Sequence, residues 1–193
     1  MAVRTSATRL AVISQVGMYG LLFLCLVLKP HFLFERDEGG VSNFGLYKLT
    51  IVPYSLAFLI GGASLFLAAR RLPSAIPMRV LLSRTLTLIS VLLLCVLVST
   101  YTYKVSAPFD EFHIAASVTL FLVEMASGIW FGVRYGRTTA SLVILGVQCI
   151  GFVLSALTCF GVIDVLFVAQ MITGIGFGWL LIKTVSTSID QAS

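Results

Sequence analysis

The sequence predicts an all-α membrane protein: a bundle of six transmembrane helices with both termini in the cytoplasm. Three observations carry this reading. Hydrophobic residues make up 59% of the 193 residues and charged residues only 11%, against roughly 25% charged in an ordinary soluble domain. The mean hydropathy of +1.04 implies more apolar surface than a short soluble chain can hide, because small domains bury only about two-thirds of what the unfolded chain exposes. The apolar residues also fall into six runs of about 20, the length a helix needs to cross a hydrocarbon core of roughly 30 Å. A soluble enzyme, a nucleic-acid reader and a disordered tail are disfavoured together.

The runs are residues 10–28, 51–69, 80–99, 113–133, 140–162 and 165–182, together one membrane domain over residues 1–193. The first follows Arg4 and Arg9 as a signal peptide would. It is longer than the usual 7–15-residue apolar core, however, and no small-residue cleavage site precedes Lys29-Pro30-His31, so it reads as a retained helix. Pro53 falls in the first turn of the second run, where a missing N–H costs little. Stretches such as residues 91–98 lack the polar–apolar alternation of a membrane barrel. Lipid offers no partner to free backbone groups, which leaves helices.

Charge orients the bundle. The N-terminus, second loop, fourth loop and C-terminus hold Arg4, Arg9, Arg70, Arg71, Arg79, Arg134, Arg137 and Lys183, eight against the four (Lys29, Arg36, Lys48 and Lys104) of the other loops. The positive-inside rule makes the first set cytoplasmic. Glu35, Asp37, Glu38, Asp110, Glu111 and Asp164 then lie outside. The net charge of +5 reads as attraction of the cytoplasmic rim to anionic lipid, at about 1 kcal/mol per basic residue near the surface, and nucleic acid is not an expected partner. The expected location is a membrane crossed many times, with the plasma membrane first.

No enzyme signature is present: there is no H-E-x-x-H, no G-x-S-x-G and no P-loop lysine motif. No catalytic residue, metal ligand set or cofactor is assigned. The glycines at 174, 176 and 178 and the pair Gly128 and Gly132 read as close helix packing, making the fourth and sixth spans candidates for close approach. Cys25, Cys95, Cys149 and Cys159 lack C-x-x-C spacing. A disulfide among Cys25, Cys95 and Cys159 is chemically open, with packing the favoured role.

The fourth span is the most informative. At 100° per residue, Ser117, Glu124, Ser127 and Gly128 all fall within about 60° of His113, with Leu122, Met125 and Ile129 opposite. Glu124 is the one acid well inside a span, and an intramembrane ionisable residue is a functional candidate by default. The plainer role is a hydrogen-bonded structural acid. Ser141, Gln148, Ser155 and Cys159 share a face of the fifth span, Gln170, Thr173, Gly174 and Gly178 one of the sixth, and Arg84, Thr87 and Cys95 one of the third. These faces predict a weakly polar seam, either a cavity or ordinary interhelical hydrogen bonding worth about 0.6 kcal/mol per contact. Arg84 and Glu124 lie about 7 Å and about 15 Å from the same side, which predicts a contact between them. Failing that, Glu124 is expected to hydrogen-bond Gln148 or Gln170. His113 at the outer interface, near Asp110, is open as a base or metal ligand, with interfacial anchoring favoured.

The first outer loop carries Val41-Ser42-Asn43-Phe44-Gly45, and the fourth span opens with His113 followed by small and aromatic residues. This arrangement resembles the DRAM (damage-regulated autophagy modulator) and Sfk-type six-pass membrane proteins and a related bacterial six-pass family. Asn43 stands where those families carry an acid, and the outer loops are short. The resemblance implies a link to lipid remodelling or distribution and marks Ser42, Asn43, Gly45 and His113 as family-like positions. Gly39-Gly40 and Ser42-Asn43 predict a loop that folds over the bundle mouth near His113. The leading expectation is a non-catalytic or accessory protein that binds membrane lipid or another membrane protein. The alternatives are an intramembrane lipid hydrolase or transferase using His113, and a small transporter coupled through Glu124. Paired breaks at Gly61-Gly62 and within residues 174–178 would favour the transporter.

Overall fold

The computed structural model describes residues 2–34, 40–102, 105–135 and 138–191. Among them are six α-helices, α1 (Ala2–Leu28), α2 (Ile51–Arg70), α3 (Arg79–Thr100), α4 (Ala107–Tyr135), α5 (Thr139–Cys159) and α6 (Leu166–Gln191). Two 3-10 helices, η1 (Pro30–Phe34) and η2 (Gly40–Leu46), lie between α1 and α2, and no strand occurs among the described residues. All six α-helices are long and apolar enough to cross a membrane. Glu35, Arg36, Asp37, Glu38, Gly39, Lys104 and Arg137 lie outside the described residues.

Four helix ends differ from the sequence reading, and three of them have a local cause. The α1 helix begins at Ala2, eight residues before the apolar run. At α4 the start is Ala107 rather than His113, with Asp110 in the first turn. A carboxylate there faces the positive end of the helix dipole, so charges that lower hydropathy still favour helix. Gly161, in left-handed geometry at φ 72°, stops α5 at Cys159. The Gly161 and Val162 N–H groups bond to the Thr158 and Leu157 carbonyls, the paired bonds of a Schellman stop. The α6 helix runs on to Gln191 because Thr184, Val185, Ser188 and Ile189 are buried.

Neighbours in sequence pack together, and α6 closes the bundle by touching α1, α4 and α5. Glycines set the distances. A Cβ on Gly128 would meet the Gln148 side chain, and one on Gly132 would meet Leu145, so the α4 pair serves the α4–α5 contact. On α6, Gly174 and Gly178 lie against Tyr19 and Gln15 of α1, and Gly176 lies against Gln148. Gly61 and Gly62 do not break α2. Their carbonyls accept hydrogen bonds from Ser14 of α1 at 2.9 Å and Ser90 of α3 at 2.7 Å. The α6 helix is likewise continuous through residues 174–178. The paired breaks that would favour a transporter are absent from these described helices.

The end of the bundle where α3 finishes and α4 begins is closed by η2, which packs on α2, α3 and α6. Ser42, Asn43, Phe44 and Gly45 are buried there. Phe44 packs on Phe32 with the rings tilted by 35° and 4.3 Å between centres, and it meets Phe167 edge-on at 5.5 Å. A Cβ on Gly45 would collide with Thr100 and the Tyr54 ring, so glycine is what lets η2 settle onto the pair joined by the 2.8 Å Tyr54–Thr100 hydrogen bond.

Candidate functional site

The polar stripe expected on α4 faces inward. His113, Glu124 and Ser127 are buried, whereas Leu122 and Ile129 are exposed, with Met125 half-buried between them. Ser141, Gln148 and Ser155 of α5 and Thr173 of α6 are buried as well. The α3 face does not join them. Arg84 is exposed near the start of that helix, and its inward polar groups are Ser90, Ser99 and Thr100. No ion pair links Arg84 to Glu124 among the described residues, so the expected contact is corrected. An arginine near a helix end snorkels toward the polar boundary rather than pairing inward.

Two adjoining spaces lie beneath η2. The inner one, about 90 Å³, is lined by Tyr19, Ser42, Ser117, Glu124 and Gln170 among apolar side chains of α1, α2, α3 and α6. It holds about three waters at roughly 30 Å³ each. The outer one is a cleft of about 710 Å³ between the diverging halves of α4 and α5. Its walls include Ile114, Val118, Leu122 and the stacked rings of Phe121 and Phe152, 5.0 Å apart and nearly parallel. Ser42, Asp110, His113 and Gln170 bring polarity to the end below η2. Ser42, Ser117, Phe121 and Gln170 border both spaces, so the cleft and the Glu124 cavity lie side by side and share these residues. Among the described residues, neither lining contains a lysine or arginine.

Hydrogen bonds explain the shape. Gln170 does not reach the Glu124 carboxyl. Its Oε1 accepts from the Val41 N–H at 2.9 Å and so ties η2 to α6. Gln148 donates to the Glu124 main-chain carbonyl at 3.1 Å, fixing the backbone and leaving the side chain to the cavity. Glu124 is only 7% exposed, and its carboxyl has no hydrogen-bond partner among the described residues. The buried Ser117 and Ser155 hydroxyls and the Gln148 Oε1 also lack partners. A buried polar atom left unpaired costs about 1–3 kcal/mol; Ser117 is a lining residue of both spaces and Ser155 of the cleft, whereas the Gln148 Oε1 packs against Gly128.

His113 lies in the cleft, with Nδ1 2.8 Å from the Ser99 hydroxyl. Ser99 itself is buried, bonds the Val96 carbonyl and borders neither space. A Ser–His pair beside Asp110 has the composition of a hydrolytic site, but its hydroxyl is shut away from the cleft. Asn43 is buried in η2 and also borders neither space. The cysteines are free thiols: Cys25 is buried with Sγ 3.7 Å from the Thr50 carbonyl, and Cys159 is exposed. No three-residue set of metal-ligating side chains occurs among the described residues.

Sequence reasoning missed Tyr19, which reaches the cavity from α1, and the Phe121–Phe152 wall. Tyr19 was legible as a polar aromatic four residues after Gln15, on one face of α1. The Phe pair left no signal, because its partners belong to different helices. No protein-family model matches this chain, and no curated protein or solved structure matches it.

Proposed function

We propose that this is a non-catalytic membrane protein that holds a lipid-like amphiphile in the α4–α5 cleft, its tail on the phenylalanine wall and its head beneath η2. One observation carries the reading: a cleft of about 710 Å³, apolar along its length and polar at one end, that shares four lining residues with the cavity of a buried carboxyl. That volume falls within the roughly 300–1,000 Å³ range of small-molecule sites. The enclosed Ser99 supports binding over hydrolysis, and the unbroken α2 and α6 support it over transport. Membership of the DRAM and Sfk-type group is proposed on the same footing. The tight seat of Gly45 and the shared cleft position of Ser42 and His113 give those motif positions a physical role.

The test is to fill the cleft. Ala156 borders it and is half-buried, so Ala156→Trp places an indole where a tail would lie. Native mass spectrometry of the purified chain should find wild type carrying a lipid adduct and the variant lacking it, with the thermal unfolding midpoint retained. Wild type without an adduct, or equal loading of both proteins, would overturn the proposal.

A further inference from the structure

Resting on the cleft reading, we infer that the preferred occupant carries a positive charge and no phosphate, and that its cationic head lodges beside Glu124. The carboxyl is nine-tenths buried, borders the inner cavity and lacks a hydrogen-bond partner among the described residues. A charge at such depth costs about 2.5–3.5 kcal/mol on insertion scales, and among the described residues neither lining supplies a lysine or arginine to offset it. A cationic head supplies the missing counter-charge and replaces any proton the empty site holds, one charge for one. The Tyr19, Phe58 and Phe121 rings border the same cavity, and aromatic faces attract ammonium and guanidinium groups within about 6 Å.

A phosphate head would meet the opposite conditions. Phosphate recognition draws on arginine, lysine or clustered backbone N–H donors, and here it would face a carboxylate across a space of about 90 Å³. A long-chain amine and an aromatic hydrophobic cation share the required chemistry. They differ in tail, which the cleft rather than Glu124 would discriminate.

The experiment uses the full chain in nanodiscs with three photoactivatable probes of equal chain length, a trimethylammonium, an alcohol and a carboxylate. A further arm carries an aromatic cation. Crosslinks are mapped to the peptides containing Phe121 and Phe152. The ammonium probe should label the cleft in preference to the alcohol and carboxylate. Glu124→Gln should cut its labelling by about thirtyfold, the low end of the cost of removing one partner of a buried charge pair. Alcohol labelling should persist and serves as the check that the variant is folded. Should Glu124→Gln not fold, Glu124→Asp, which keeps the charge, should retain the ammonium preference. Preference for the aromatic cation over the long-chain ammonium would identify the tail class within the same inference. Equal labelling by all three chain probes would overturn the cationic head while leaving the cleft reading in place. A cationic preference unchanged in Glu124→Gln would overturn the role of Glu124. No cleft labelling by any probe would overturn the cleft reading and this inference together.

Discussion

At the scale of single residues, the helix contacts divide glycines that are required from glycines that are idle. A Cβ on Gly151 of α5 would stand 2.8 Å from the Thr173 nitrogen and 2.9 Å from the Ala169 carbonyl oxygen. Both are α6 backbone atoms, which cannot swing aside as a side chain can. Gly151→Ala is therefore expected to lower stability by about 1–3 kcal/mol, the usual cost of overpacking. Gly146 lies on the same helix with open space around it. Gly146→Ala should be neutral or raise stability by up to about 1 kcal/mol through helix propensity. Thermal unfolding in detergent measures both, and equal shifts would contradict the packing assignment. Clustered glycines at 128, 132 and 174–178 announced themselves in the sequence. Gly151 did not, because its significance lies in the backbone of a different helix.

At the scale of elements, η2 is held to α6 by one defined hydrogen bond and an aromatic cluster. Gln170→Leu removes the acceptor of the Val41 N–H, and a donor left unpaired costs about 1–3 kcal/mol. Hydrogen exchange across residues 40–46 should quicken in that variant. Unchanged exchange would mean that Phe32, Phe44 and Phe167 suffice to seat η2. The six long helices were legible because lipid demands unbroken apolar length, a property of each segment alone. The inward faces of α4 and α6, and most of that of α5, were legible from periodicity. The 3-10 form of η2 was not, since seven residues give no repeating pattern and only tertiary contacts hold such a turn. Periodicity grouped Arg84 with Thr87 and Cys95 on α3, but it could not reveal that Arg84 is exposed while Thr87 and Cys95 are half-buried and line neither space. Glu124 was legible as an anomaly of composition. The cavity in front of it was not, because its lining comes from five helices and η2.

At the scale of the whole molecule, Arg9, Arg70, Arg71, Arg79 and Arg134 are exposed at helix ends remote from η2. Arg71 also joins two of those ends through a 2.7 Å hydrogen bond to Ser6. The positive-inside rule predicts a cytoplasmic position for this end. Ser42 is buried and so unsuited to report on the opposite end, whereas Lys48 and Ser74 are both exposed. In a Cys159→Ser background, a membrane-impermeant thiol reagent added outside should label Lys48→Cys and miss Ser74→Cys. The reverse pattern would invert the orientation. The cleft between α4 and α5 opens past Ile114, Val118 and Leu122, side chains exposed on the flank of the bundle rather than at its ends. A guest arriving by that route never leaves the bilayer. Its occupancy would follow its mole fraction in the surrounding lipid, so diluting the membrane with inert lipid would empty the cleft at constant aqueous concentration.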